Sequence, residues 1–230
     1  MSNINQDETA ATRGRTPGKR QQLAQNTRRR IFEIALHEFA DKGFSGVRVE
    51  TIAALTGVNI RMIYHYFGNK LNLYIEVLEY VLGQLRDEEL KLKLDMHQID
   101  PVDGILQLYD FIESHFARHR ELQSLLQWEN LNKADALKHS ARIQAMSFPI
   151  RDLLAGLIRL GERQGTLRPG IDALHLYVTL VSLSVFHKAN AFTMSYMFET
   201  DLLTADWQRQ HKHQAHDMIL AYLKPAAIAN

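Results

Sequence analysis

The spacing of apolar residues is the feature that constrains the fold most strongly. From about residue 25 onward these residues recur every three or four positions, and no stretch alternates apolar and polar residues as a half-buried strand does. The first stripe ends at Gly43, and a long one begins near Lys70. The pattern predicts an all-α fold with about nine helices. After the first helix, we expect helices at about 49–55, 60–66, 70–94, 101–118, 121–132, 136–165, 171–193 and 206–223.

The composition excludes several kinds of site. The chain has no cysteine, so disulfides, thiolate zinc sites, iron–sulfur clusters and a cysteine nucleophile are excluded. The first 20 residues lack the apolar segment of a secretory signal. The most apolar stretch, Leu174–Phe186, is interrupted by polar residues and is too short to span a bilayer. We therefore expect a cytoplasmic protein without a membrane partner.

The charge is distributed unevenly along the chain. Residues 1–70 contain 11 Lys and Arg against 6 Asp and Glu, whereas residues 71–230 contain 16 against 20. This asymmetry indicates that the N-terminal third contacts a polyanion. We expect a flexible basic arm at 1–24, a DNA-binding domain at 25–70 and a helical body at 71–230. The arm either enters a minor groove or is only a solubilising tail.

Residues 48–67 have the pattern of a helix-turn-helix. Two short apolar-faced helices are separated by a turn that contains Gly57, and Val58 is placed to fill the corner between them. Asn59 is placed to cap the second helix, which leaves the amide end of that helix free to face a phosphate. In such a motif the second helix lies in the major groove of DNA.

The run from Thr27 to Tyr74 resembles the DNA-binding domain of the tetracycline-repressor family. The resemblance implies a two-fold dimer, a palindromic operator on double-stranded DNA, and a C-terminal cavity for a small-molecule effector that controls DNA binding. The residues that carry it are Ile31, Ala35, Phe39, Gly43-Phe44, Val49, Ile52-Ala53, Gly57-Val58, Tyr64-His65-Tyr66-Phe67, Lys70 and Leu73.

Carried over position by position, the resemblance implies a set of DNA contacts. Members of the family often have Gly-Thr where this chain has Arg61-Met62, and a hydroxyl residue where it has Val49. Alternatively, Ile60 and Met62 pack inside the domain, the ring of Tyr64 is structural, and Arg61 and Lys70 are ordinary solvated surface. The implied base-edge contacts are Arg48, Val49, Glu50, Ile60, Arg61, Met62 and Tyr64, and the implied phosphate contacts are Val49, His65, Tyr66 and Lys70, with Asn59 as the cap.

The body contains two stretches suited to dimerisation. Leu174–Phe186 is apolar around most of its circumference, so we expect it to be buried against both its own core and a partner subunit. The second stretch would complete a four-helix bundle across the two-fold axis. The alternative is a monomer with a central buried helix. The second stretch carries Trp207, Ala215, Met218, Ile219 and Tyr222.

Aromatic residues and one carboxylate of the body are candidates for the effector cavity, although a single aromatic residue on a body helix is more often ordinary core. We predict no cofactor, because the chain contains no phosphate loop, dinucleotide fingerprint or nucleophile elbow. The competing functions are a helical enzyme or carrier and a non-specific DNA-binding protein. The predicted effector contacts are Phe111, Trp128, Glu129, Phe148, Tyr177 and Phe186.

Two groups of histidines are candidate metal ligands. His115 and His119 share one helix face, and His211, His213 and His216 crowd the start of the last helix. No carboxylate at a matching sequence spacing completes either group. The sequence therefore predicts no metal site.

Overall fold

A computed structural model describes residues 17–92 and 98–225, and that part of the chain contains helices and no strand. The all-α prediction is confirmed. No helix in these two ranges is long and apolar enough to cross a membrane. The helices are α1 (Pro17–Gly46), α2 (Val49–Thr56), α3 (Ile60–Phe67), α4 (Lys70–Lys91), α5 (Pro101–Arg118), α6 (Arg120–Leu131), a 3₁₀ turn (Leu137–His139), α7 (Ala141–Ala145), α8 (Phe148–Gln164), α9 (Ala173–Ala189), α10 (Ala191–Met197) and α11 (Ala205–Leu223).

The described residues form more helices than the nine expected, because two predicted helices are broken. The predicted helix at 136–165 is divided at Ser140 and again near Ser147. The Ser140 hydroxyl donates to Glu79 of α4 at 2.6 Å and accepts from the Ile143 N–H at 3.2 Å. This hydroxyl therefore starts a new helix at Ser140. The predicted helix at 171–193 is likewise divided, at Asn190.

The expected arm at 1–24 is only partly described. Residues 17–24 are helical and belong to α1, so the expectation of a flexible segment is wrong for them. Residues 1–16 lie outside the described ranges, and with them Arg13 and Arg15 of the basic run. The minor-groove contact of the arm stays a prediction.

The first three helices pack into one small unit. Ile31, Ala35 and Phe39 of α1 are buried together with Ile52 of α2 and Ile63 of α3. These are the stripes that the 3–4 residue spacing predicts. The two short helices are therefore held on α1, with their remaining faces open to solvent.

A tight contact joins this unit to the body. α1 is interrupted at Gly43, whose φ of 68° and ψ of 175° lie in a region open almost only to glycine. The indole of Trp128 on α6 lies against Gly43, and its Nε1 donates to the carbonyl of Ala40 at 3.2 Å. Nearer the start of α1, the Arg28 guanidinium donates to both carboxylate oxygens of Glu76 on α4, at 2.5 and 2.7 Å.

Candidate nucleic-acid interface

Local capping defines the second helix of the motif. Gly57 ends α2 in the left-handed conformation, with φ of 68°. The Asn59 side chain then accepts a hydrogen bond from the Arg61 N–H at 2.9 Å and so caps α3. Gly68, with φ of 76°, ends α3, and Asn69 caps α4. The predicted role of Asn59 as a helix cap is therefore observed.

The faces of α3 differ sharply in exposure. Ile63 and Phe67 are buried in the core of the N-terminal unit. Arg61, Met62 and Tyr64 are exposed, and so is His65. The first turn of α3 thus presents a guanidinium and a thioether to solvent, which suits contacts with base edges and thymine methyl groups.

The other predicted DNA contacts differ from one another in exposure. Arg48 and Glu50 are exposed at the start of α2, while Ile60 and Tyr66 are half-buried against the core. The Val49 side chain is buried and is not presented to a base edge, and the phosphate contact of this residue stays a prediction. Only its backbone N–H, at the start of a helix, is suited to a phosphate.

Lys70 lies at the start of α4, beside α3. Its Nζ is 4.4 Å from the centre of the Phe44 ring, so a cation–π contact fixes the ammonium. Burial lowers the pKa of Lys70, and the nearby carboxylate of Glu50 opposes that change. The side chain is oriented before any DNA arrives.

The predicted effector contacts do not come together around one cavity. Phe148 lies near Arg151 on the surface, and Phe186 is exposed. The Tyr177 hydroxyl is bound within the body, at 2.8 Å from the guanidinium of Arg86, and burial raises its pKa to about 12. The other three are taken up by packing: Trp128 against α1, Glu129 as acceptor of the Leu137 N–H at 3.2 Å, and Phe111 half-buried beside His115.

A different cleft in the body has the size of a ligand site. We call it the α6 cleft; it has a volume of about 480 Å³, within the range typical of small-molecule sites. Arg120 brings positive charge to it, Lys188 is paired with Glu113 at 2.7 Å, and Phe116 and Phe192 bring aromatic surface. Its walls come from α5, α6, α9, α10 and the region of α11, helices far apart in sequence, so no local pattern could have identified it.

A buried histidine next to the α6 cleft predicts acid sensitivity. Burial lowers the pKa of His187 to about 4, and the charges of Lys188 and His211 lower it further, against a hydrogen bond to Gln208 and the charge of Glu113. The unfolded chain, with a histidine pKa near 6.5, therefore binds more protons between pH 6.5 and 4. The free energy of unfolding should fall as the pH drops through this window, in total by about 3 kcal/mol.

Urea unfolding at pH 7.5 and pH 5.0 tests this expectation. The wild-type chain should lose about 2 kcal/mol more than His187→Gln between the two values. His213→Gln, which removes a histidine from the solvent-exposed face of α11, should behave as the wild type does. Equal losses in wild type and His187→Gln would contradict the assignment.

The two groups of histidines differ in whether their members lie close together. His211 stacks on Trp207, with ring centres 5.0 Å apart, whereas His216 binds Asp110 at 2.8 Å and His213 is exposed. These three do not form a common site. His115 and His119 do lie together, and Glu88 of α4 joins them. No sequence spacing could have indicated Glu88, because it is distant from the two histidines in sequence and adjacent to them in space.

Comparisons with known proteins agree with this geometry. Residues 31–77 match the family described as bacterial regulatory proteins, tetR family, and residues 101–219 match the tetracyclin repressor-like C-terminal domain. The HTH-type transcriptional repressor NicS of Pseudomonas putida is 36% identical over 197 residues, covering 84% of this chain and 92% of that protein. The HTH-type transcriptional repressor SCO4008 of Streptomyces coelicolor is 34% identical over 159 residues, covering 69% of this chain and 76% of that protein.

Solved structures support the same fold. The transcriptional regulator SCO4942 of Streptomyces coelicolor superposes with a TM-score of 0.64 at 23% identity, covering 86% of this chain and 98% of that one. A TetR transcriptional regulator of Chloroflexus aurantiacus gives 0.60 at 21% identity, covering 87% and 96%. With the helix-turn-helix of α2 and α3, the two matched domains and the repressors similar along most of the chain, this protein belongs to the tetracycline-repressor family of DNA-binding transcriptional regulators.

Proposed function

We propose that the chain is a homodimeric repressor that binds a palindromic operator through α3 and is released by a small effector. The exposed first turn of α3, held out by the buried Ile63 and Phe67, carries this proposal. The repressors named among its relatives support a regulator rather than an enzyme.

An apolar surface on the body supports the dimer. On α9, Leu174, Val178 and Phe186 are 53–57% exposed, and on α11 Met218 and Tyr222 are 57% and 41% exposed. Large apolar side chains grouped on two neighbouring helices mark a protein interface. Two copies that meet on this surface would form a four-helix bundle across a two-fold axis. We call this surface the α9–α11 face.

Val178→Asp should therefore dissociate the dimer. In a two-fold interface the substitution introduces two unpaired carboxylates. They should weaken association by about 3 kcal/mol, which raises the dissociation constant of the dimer about a hundredfold. Sedimentation equilibrium measures the change. Leu55→Asp, at an equally exposed leucine on α2, is the matched control and should leave the dimer intact. A wild-type chain that sediments as a monomer would contradict the proposal.

α6 offers a route from effector to DNA. Its Gln127 side chain donates to the carbonyl of Ala189 on α9 at 3.1 Å, beside the α6 cleft. One residue further along, Trp128 binds Ala40 of α1. A molecule in the cleft that moves α6 would therefore move α1 and the helices packed on it. Of the two cations that line the cleft, Lys188 is paired with Glu113 at 2.7 Å, so only the exposed guanidinium of Arg120 favours a small anionic effector.

Such an effector needs a difference in affinity for the two states. It releases DNA only to the extent that it binds the released state more tightly, typically by about 1–3 kcal/mol. An effector that bound both states equally would leave the DNA affinity unchanged.

Selection of binding sites from random duplexes tests the proposal. The full chain should enrich a palindrome whose half-site centres lie about one helical turn apart, about 34–36 Å, or a multiple of that distance. Enrichment of single, unpaired sites would contradict recognition of the operator by a dimer. Equal retention of all sequences would contradict sequence-specific binding altogether.

A further inference from the structure

Three potential metal ligands converge where the end of α4 lies beside the end of α5. Glu88 lies near the end of α4, His115 lies in the last turn of α5, and His119 follows that helix. The ligand atoms of the three residues all lie within 4.8 Å of one another. His115 Nδ1 is 3.1 Å from the Glu88 carboxylate, and the two imidazole rings are 4.3 Å apart at an angle of 32°.

The surroundings of the cluster hold one member rigidly and leave the others adjustable. His115 is 1% exposed, whereas Glu88 and His119 are half-buried. Zinc binds imidazole nitrogen and carboxylate oxygen at about 2.0–2.2 Å, so a shift of about 1 Å by the two adjustable side chains would bring all three into coordination range. Arg118 is 3.8 Å from the Glu88 carboxylate but more than half exposed, so it can turn away from an incoming cation.

The cluster also opens to solvent on one side. His115 and His119 line a cleft of about 410 Å³ together with residues of α1 and α4. The cleft gives a cation a path of entry and leaves room for water in a fourth coordination position. Glu121 in its wall attracts positive charge, whereas the carboxylate of Glu33 is paired with Arg29 at 2.7 Å.

We propose that Glu88, His115 and His119 bind a divalent cation of the zinc class. Two imidazoles and one carboxylate suit Zn²⁺, Ni²⁺ and Co²⁺ better than Mg²⁺ or Ca²⁺, which prefer oxygen ligands. The cation ties the end of α4 to the end of α5. Because the start of α4 adjoins α3, the bound cation changes the affinity of the protein for its operator. This regulatory step rests on the proposed function.

Zinc binding to the full chain, after removal of any purification tag, tests the site without DNA. Competition with a chromophoric zinc chelator should reveal one cation bound per chain. Glu88→Gln and His119→Gln remove ligands that are not fully buried, and each should weaken binding at least about tenfold. His213→Gln, at an exposed histidine on α11, is the matched control and should bind zinc as the wild type does.

Zinc binding that is unchanged in both Glu88→Gln and His119→Gln, or absent in the wild type, would overturn the site. Circular dichroism on each variant establishes that the helices are retained. A second arm measures operator affinity with and without Zn²⁺, where equal affinities would overturn the regulatory role alone. Since the first arm contains no DNA, failure of the proposed function would leave the cation result intact and distinguishable.

Discussion

Gly43→Ala should destabilise the protein by about 3 kcal/mol or more. The backbone at Gly43, with φ of 68° and ψ of 175°, is strained for any residue with a Cβ, at a cost of about 1–3 kcal/mol. The added Cβ would also lie 2.7 Å from an indole carbon of Trp128, and crowding of this kind costs about 1–3 kcal/mol more. The indole cannot move freely, because its Nε1 donates a hydrogen bond to the carbonyl of Ala40.

Two glycines serve as controls for that substitution. Gly57→Ala adds a Cβ at φ of 68° in open space, so it measures strain without the clash and should cost about 1 kcal/mol. Gly83→Ala, inside α4 and also in open space, should be neutral or stabilise by about 0.5–1 kcal/mol. Urea unfolding at one fixed protein concentration compares them. If the Gly43→Ala protein were no less stable than the Gly57→Ala protein, that result would contradict the tight contact between α1 and α6.

Arg61→Ala should lower affinity for the selected operator by about tenfold to a hundredfold while leaving affinity for random DNA nearly unchanged. Arg61 is exposed on the first turn of α3, where a bidentate contact with guanine is worth about 1–3 kcal/mol of discrimination. Fluorescence anisotropy with the operator and a scrambled duplex measures both affinities. Arg163→Ala, at an exposed arginine on α8 of the body, controls for the loss of charge.

Lys70→Ala should give the opposite pattern. A phosphate contact carries no sequence information, so both duplexes should lose affinity alike, and the salt dependence should flatten by about one unit in the log–log slope. The contact with Phe44 makes Lys70 part of the domain surface rather than a free side chain, so circular dichroism should accompany the measurement. Equal losses on the two duplexes for both Arg61→Ala and Lys70→Ala would contradict the roles assigned here.

The sequence predicted the DNA-binding unit well because its determinants are local. Gly57 supplies the left-handed turn that ends α2, Asn59 caps α3 by accepting from the N–H two residues later, and Ile63 and Phe67 repeat at helical spacing. Each signal lies within a few residues of the element it defines. The burial of the Val49 side chain was not foreseen, because its role was carried over from the family by position and position alone does not show which way a side chain faces.

The body was harder to predict because its determinants act across the fold. The break at Ser140, for example, depends on a hydrogen bond to Glu79 on another helix. The α6 cleft and the cluster around Glu88 draw on residues far apart in the chain. Aromatic content alone could not identify which side chains line a cavity.

Methylation interference on the selected operator tests most directly whether the first turn of α3 reads bases. Methylation of guanine N7, which lies in the major groove, should block wild-type binding at matching positions in both half-sites, and that interference should disappear for Arg61→Ala. Identical interference in the two proteins, or interference only from adenine N3 in the minor groove, would contradict the account.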